Sequence, residues 1–487
     1  MIFTSAEYIL FLPIIVLLFW VLPKVCRLPM LLVASYYFYM SFIPQFILLI
    51  LPMTLYNWLW GKLMVKKGHG SRMLLGIGIA VNLIILGIFK YANFFADSFG
   101  QVAKLTTGTA PHFDFHIILP LGISFFTFEF IHYLFEIYRG KKPIDSFVLF
   151  ALFAAFFPTQ IAGPIKRYPD FVEQMQADNK LKLSYFDEGV PLIIIGMAKK
   201  LLLADNLAVF VQMGVSGPYN YSGLELWLFA YAFAFQIYFD FSGYTDIGRG
   251  SAMLFGYHIP INFNMPYIAS NMSDFWRRWH VSLSTWLRDY LFIPLGGSRG
   301  TRFQVNRNLF LTMALGGLWH GASWNFVIWG IFHGLALIVH REFAMWKDST
   351  AAVKNFLEQK GVAFFWRYFS IFLTFQAVCI GWVFFRIQDI NLAWIMVRRM
   401  LTLRPMYSMP APEHFLVMKP DLPVVVPVVM IMVALLLLTN LPISALNEKK
   451  VFQNLPAFVK AAYCAVLIMA IVTFLPDTSQ PFIYFQF

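Results

Sequence analysis

Runs of apolar residues long enough to cross a bilayer, about 20 at 1.5 Å rise per residue, recur along this chain from one end to the other. They lie near residues 7–22, 30–60 as a pair broken at Pro44, 73–95, 116–137, 190–211, 223–243, 309–342 as a second pair, 368–386, 423–441 and 456–475. A soluble fold has no interior large enough for so many. Only 13% of the 487 residues are charged while 59% are hydrophobic, and a soluble protein carries about twice that charge. The pattern predicts an all-α polytopic membrane protein of about eleven or twelve transmembrane helices.

The basic residues orient the spans. Lys24 and Arg27, then Lys62, Lys66, Lys67 and Arg72, then Arg139, Lys141 and Lys142 fall in every second loop, which makes those loops cytoplasmic and puts the N-terminus outside. Lys449 and Lys450 hold a later loop inside and leave residues 476–487 on the outer face, whereas the cluster Arg386, Arg398, Arg399 and Arg404 leaves the parity between 386 and 422 open. No Lys or Arg precedes Lys24 and no A-x-A site follows the first run, so that run is expected to be a retained span and not a signal peptide. The net charge of +12 is accounted for by cytoplasmic loops, and without a soluble basic face nucleic acid is excluded. Cys26, Cys379 and Cys464 stand singly and imply no disulfide framework and no metal site. With no internal repeat or linker, residues 1–487 read as a single membrane domain ending in an aromatic tail, 476–487.

Two stretches depart from simple spans. "FVLFALFAAFFPTQIAGPI" (147–165) is short and ends in Pro and Gly, as a re-entrant or broken helix shielded by protein would be. Residues 244–308 mix Pro, Gly and Asn with a charged, Trp-rich helix and a Gly-rich basic loop, which suits an interfacial position or one over a cavity.

From Asn308 to His340 there are 33 residues without Asp, Glu, Lys or Arg, and within them stands "GGLWHGASW" with His320 about twelve residues from either polar edge of its helix. A neutral imidazole at that depth suits a general base; the alternative is a structural ring hydrogen-bonded in the core. In "SDFWRRWHVSLSTWLRDYL", Trp276, Trp279, His280, Leu283, Leu287 and Tyr290 recur at helical steps, while Arg277, Arg278, Ser282 and Arg288 take other faces. His280 therefore points into protein, as part of a site or of an anchor helix packed on its tryptophans. His333 and His340 share one face of the next span and suit core hydrogen bonds, and His112 and His116 sit in an outer loop. No H-e-x-x-H spacing supports a metal. "PLGGSRGTR" combines glycine amides with Arg299, Arg302 and Arg307, which either grip the phosphates of an acyl donor or merely satisfy the positive-inside rule.

The strings "YFDFSGYTDIGRG" (238–250), "FWRRWHVSLSTWLRDYLFIPLGGSRG" (275–300), "NLFLTMALGGLWHGASW" (308–324) and "IWGIFHG" (328–334) resemble the bacterial membrane-bound O-acyltransferases, in the branch of the alginate O-acetyltransferase membrane subunits. "KYANFF" (90–95) and "GISFFTFE" (122–129) extend the resemblance toward the N-terminus. It implies a ring of tilted helices with re-entrant and interfacial pieces around a central funnel. It also implies transfer of an acyl group from a cytoplasmic thioester to a hydroxyl, with His320 as the base and His280 as its partner in the tunnel.

The C-terminal "FIYFQF" fits F-x-Y-x-x-F through Phe482, Tyr484 and Phe487, and resembles the motif of the small companion peptide in teichoic-acid D-alanylation, where the tyrosine is held to carry the acyl group. A phenol fits such a relay: the thiol leaves with a pKa near ~8.5, the phenol near ~10 and an alcohol near ~15.7, so thioester, aryl ester and alkyl ester form a descending series. Nine residues from Leu475 to Tyr484 span about 30 Å when extended, and the bilayer centre lies about 15 Å below its surface. The plainer alternative is an aromatic interfacial anchor. The reading is an O-acyltransferase of the bacterial cytoplasmic (inner) membrane with no bound cofactor. It would take acetyl from acetyl-CoA or a similar thioester, and a periplasmic or extracellular partner protein would complete delivery to an exported polysaccharide. The alternatives are D-alanyl or lipid O-acyl transfer and, from another class, a transporter or flippase of lipid-linked sugar.

Overall fold

The computed structural model describes residues 1–67, 71–109, 115, 117–161, 163–403, 455–475 and 481–483. Every regular element among the described residues is helical. Pro44–Lys66, Arg72–Thr107, Trp324–Ser349 and Lys360–Arg386 are long and apolar enough to cross a membrane, and Ala6–Val21 and Ala457–Thr473 are shorter apolar helices. Leu10, Leu17, Leu48, Leu83, Phe364 and Phe365 lie exposed on these helices, which fits lipid and not water as their surroundings. The expected span at 423–441, the cations Arg404, Lys449 and Lys450, and the loop residues His112 and His116 lie outside the described residues.

The chain packs as two compact units, Met1–Gly196 with Tyr244–Ile261, and Met197–Gly243 with the described residues from Asn262 on. In the first, Ser5 caps the opening helix by accepting the Tyr8 N–H, and Pro44 breaks the second run where expected, opening a short 3-10 turn before Ile47–Lys66. Asn57 and Asn82 exchange hydrogen bonds at 3.0 and 2.8 Å, satisfying two amides that lipid could not. Phe147–Ala155 is a nine-residue helix, about 14 Å long and too short to cross, and Leu149 through Phe157 are buried. The irregular chain after it is tied down by the Phe157 N–H on Ser35 Oγ at 3.2 Å and by Lys166. That buried ammonium meets the buried Glu129 carboxylate at 2.8 Å and donates to Thr159 Oγ1 at 2.7 Å, which satisfies the condition for burying a charge: a partner and further hydrogen bonds.

In the second unit a wide π-type turn, Lys199–Ala204, precedes the helix Asp205–Ser216. Arg302–His320 begins with a capping box between Thr301 and Gln304 and packs closely on Trp324–Ser349. A Cβ at Gly317 would stand 2.3 Å from the Phe326 carbonyl oxygen and 2.8 Å from Gly330 Cα, so the backbones touch and only glycine fits the crossing. The uncharged run is thus two helices, with Gly321 extended and Ser323 capping the second by accepting the Asn325 N–H.

Candidate active site

His280 does not sit within the continuous helix that its periodicity predicts. The chain forms Met272–Arg278, breaks, and resumes as Val281–Leu287 and a π-type turn Arg288–Phe292. At the break His280 takes φ +44° and ψ +54°, a left-handed conformation that costs an L-residue about 1–2 kcal/mol. Asn262 is the reason: its carbonyl accepts the Val281 N–H at 2.9 Å, and its Oδ1 accepts the Ser282 N–H at 3.2 Å and hydroxyl at 2.7 Å. These bonds replace those of the helix ladder and offset the strain. Trp276, Trp279, Leu283, Leu287 and Tyr290 are buried as the stripe requires, and so is Ser282, which the periodicity put on another face.

His320 is the last residue of its helix and not its middle. Its ring lies among aromatics, with centroids 4.9 Å from Trp329, 5.2 Å from Phe385 and 5.0 Å from Trp319. Trp319 is also 6.4 Å from the ring of His280, so one indole adjoins both histidines, each of them buried. The third ring, His333, is buried against Trp329 at 4.6 Å and Trp276 at 5.2 Å. The core hydrogen bond expected of it is absent among the described residues: neither ring nitrogen has a partner there, nor have the indole nitrogens of Trp276, Trp329 and Trp382. These groups give an otherwise apolar wall unspent hydrogen-bonding capacity.

The basic loop turns through Gly296, Gly297 and Gly300, all at positive φ. Arg299, Arg302 and Arg307 are exposed. Arg302 is paired with Glu342, which also accepts from Arg341 at 3.0 Å, while Arg307 donates to Asn308 Oδ1 at 3.0 Å. Of the tail motif, Phe482 is buried at 3% exposure and Ile483 at 2%; Tyr484 and Phe487 lie outside the described residues. Phe482 packs 5.7 Å from Phe241, and Phe241 packs edge-on 4.7 Å from His280. The start of the tail and one of the two histidines therefore share a neighbour.

A group that sequence reasoning passed over lies beside them. Lys200 is 2.7 Å from Asp205 and 2.8 Å from Asp240, all three buried. Asp240 Oδ2 in turn accepts the Ile483 N–H at 2.7 Å. The signal was present, since ionisable residues inside apolar runs mark functional or paired positions, but Lys200 and Asp205 were absorbed into a span and Asp240 into a motif string. Among the described residues no cluster of His, Cys, Asp or Glu has the makings of a metal site.

The model of the membrane-bound O-acyltransferase family matches residues 144–384. A Pseudomonas aeruginosa protein named probable alginate O-acetylase AlgI is 41% identical over 409 residues, covering 82% of this chain and 75% of its own. A Helicobacter pylori peptidoglycan O-acetyltransferase is 35% identical over 429 residues, 81% of this chain and 78% of its own. A Bacillus subtilis teichoic acid D-alanyltransferase is 30% identical over 290 residues, 56% of this chain and 71% of its own. These matches set the transporter alternative aside. Taken with the apolar helices, they show that the chain belongs to the membrane-bound O-acyltransferase family and is a polytopic membrane enzyme that transfers acyl groups to hydroxyl oxygens.

Proposed function

We propose that this enzyme moves acetyl from a cytoplasmic thioester, acetyl-CoA or a similar donor, to hydroxyls of an exported polysaccharide, with Tyr484 as an intermediate carrier. It does so in the bacterial inner membrane, with the N-terminus and the tail entering from the outer side and a periplasmic or extracellular protein completing the transfer to sugar. Three of its relatives are named for acyl transfer to alginate, peptidoglycan or teichoic acid, and the two with the higher identities are O-acetyl enzymes. The observation that carries the relay is the burial of Phe482 and Ile483, with Phe482 against Phe241 and Phe241 against His280. An interfacial anchor would leave these side chains at the lipid surface. Tyr484 is bonded directly to Ile483.

In the first step the phenol oxygen of Tyr484 attacks the thioester carbonyl. The C–O bond forms, the C–S bond breaks, the phenol proton passes to His320, and the thiolate leaves with that proton from the imidazolium, which restores neutral imidazole. In the second, an acceptor hydroxyl attacks the aryl ester and its proton goes to the imidazole; the new C–O bond forms, the aryl C–O bond breaks, and the imidazolium returns the proton to the phenolate, which restores Tyr484. Proton transfer from phenol to free imidazole is uphill by about 3.5 pK units, so His320 acts as the C–O bond forms and not beforehand. His280 orders the reacting groups beside Trp319, and Arg299, Arg302 and Arg307 meet the donor phosphates. Tyr484→Phe, which removes one oxygen and keeps the ring, is expected to abolish polymer acetylation, with mass spectrometry of trapped parent enzyme showing acetyl on Tyr484. Full acetylation by that variant would refute the relay. His320→Ala is expected to abolish transfer in a protein that still folds and inserts.

A further inference from the structure

Ile483 is held by its backbone and not only by its side chain. Its N–H donates to Asp240 Oδ2 at 2.7 Å, and that carboxylate is 2.8 Å from Lys200. Lys200 already has a counter-charge in Asp205 at 2.7 Å, so neutralising the ammonium does not by itself require Asp240. Burying a second carboxylate is unfavourable unless it does something else. What it does in this structure is accept a main-chain amide in a buried setting, where a charge-assisted bond is short and directional. Phe241, the residue after Asp240 on the helix Gly223–Met253, packs against the rings of both Phe482 and His280. Two consecutive helix residues thus grip two consecutive tail residues. Lys200 sits in the π-type turn Lys199–Ala204, a local widening that re-aims side chains and recurs at functional sites.

We propose that Asp240 is a positioning residue: anchored through Lys200 to Asp205, it clamps the tail by the Ile483 amide and thereby fixes the register in which the tail is held at Ile483. The clamp reads the backbone, so it sets register without specifying the side chain that is carried. Its functional meaning rests on the relay reading of Tyr484, whereas the attachment itself does not.

The test uses the full-length enzyme with Cys26→Ser, Cys464→Ser and Pro481→Cys, nitroxide-labelled at position 481, where the chain is exposed. Two variants are compared with this parent. Asp240→Ala removes the acceptor, and Ile483→Pro removes the donor together with the buried Ile483 side chain while leaving the three charges in place; Ile483→Ala, which trims the side chain but keeps the N–H, is its control. Asp240→Ala and Ile483→Pro are both expected to shorten the label's correlation time at least about threefold and to slow acyl transfer about tenfold, with Ile483→Ala close to the parent in both; an Ile483→Ala tail as mobile as that of Ile483→Pro would assign the loosening to the side chain and overturn the clamp. Unchanged spectra in Asp240→Ala and Ile483→Pro would also overturn it. A loosened tail with undiminished transfer would support the clamp and remove Tyr484 as relay, so the two ideas fail separately.

Discussion

Lys166 and Lys200 are both ammonium groups sunk in apolar surroundings, one in each unit, and they keep different company. Lys166 meets Glu129, which precedes the short helix Phe147–Ala155, and Thr159, which lies in the irregular chain after it. Lys200 meets Asp205 and Asp240, and through Asp240 the main chain of a distant segment. A buried ion pair adds little net stability compared with apolar residues of the same volume, so each calls for a positional explanation. The first fixes irregular backbone that lipid could not accept. The second reaches the tail at Ile483, the segment of the proposed relay.

The largest effect should come from breaking the first pair. Lys166→Met strands Glu129 and is expected to cost about 3–5 kcal/mol, seen as loss of folded protein in a thermal melt in detergent. The double substitution Glu129→Leu, Lys166→Met should recover most of that loss and keep transfer per folded molecule within about twofold. A double variant that folds yet fails to transfer would put Lys166 in the chemistry and erase the contrast.

Next comes Asn262, which in the second unit positions rather than folds. Asn262→Ala removes the acceptor for the Ser282 amide and hydroxyl, a loss of about 1–3 kcal/mol. Released from its left-handed conformation, His280 should turn away and transfer should fall about 10- to 100-fold, since 1.4 kcal/mol is tenfold in rate. Asn262→Asp, which keeps the acceptor, should restore most of it. Equal melting losses with unchanged turnover would make Asn262 a folding residue like Lys166.

Smaller still is the backbone strain at His280. His280→Gly and His280→Ala both lose the ring, but only glycine is at ease at φ +44°. The glycine variant should therefore be the more stable by about 1 kcal/mol, measurable by denaturant or heat; equal stabilities would mean the conformation relaxes when the imidazole goes. Smallest is Arg302→Ala, whose ion pair with Glu342 is exposed, with a stability change of about 0–1 kcal/mol. If the loop meets the donor, Arg299→Ala should raise the donor KM with kcat unchanged.

Among the described residues, four of the expected spans were legible in the sequence because bilayer thickness dictates their length, and the break at Pro44 was legible because proline suits the first position of a new helical turn. The break at His280 was not. Its apolar stripe fits an unbroken helix, and the competing acceptor, Asn262, lies in a segment whose nearness only the fold reveals. His320 was found by its isolation among uncharged residues, yet its place at a helix end was missed, because Gly321 and Ser323 read as ordinary members of an apolar run. For Lys200, Asp205 and Asp240 the sequence shows the charges and withholds the pairing, since the partners come from different helices.

The contact between Gly317 and Gly330 divides the site into parts that can drift and parts that cannot. An indole or phenyl in the wall around His320 can be exchanged for another ring of similar volume at modest cost, so the wall can be retuned over generations to acceptors of different shape. A single methyl at Gly317 would meet Phe326 and Gly330 main-chain atoms at 2.3 and 2.8 Å and force the two helices apart, carrying His320, three residues along, with them. A lineage adapting this enzyme to a new acceptor is free to repaint the room but not to move that wall stud.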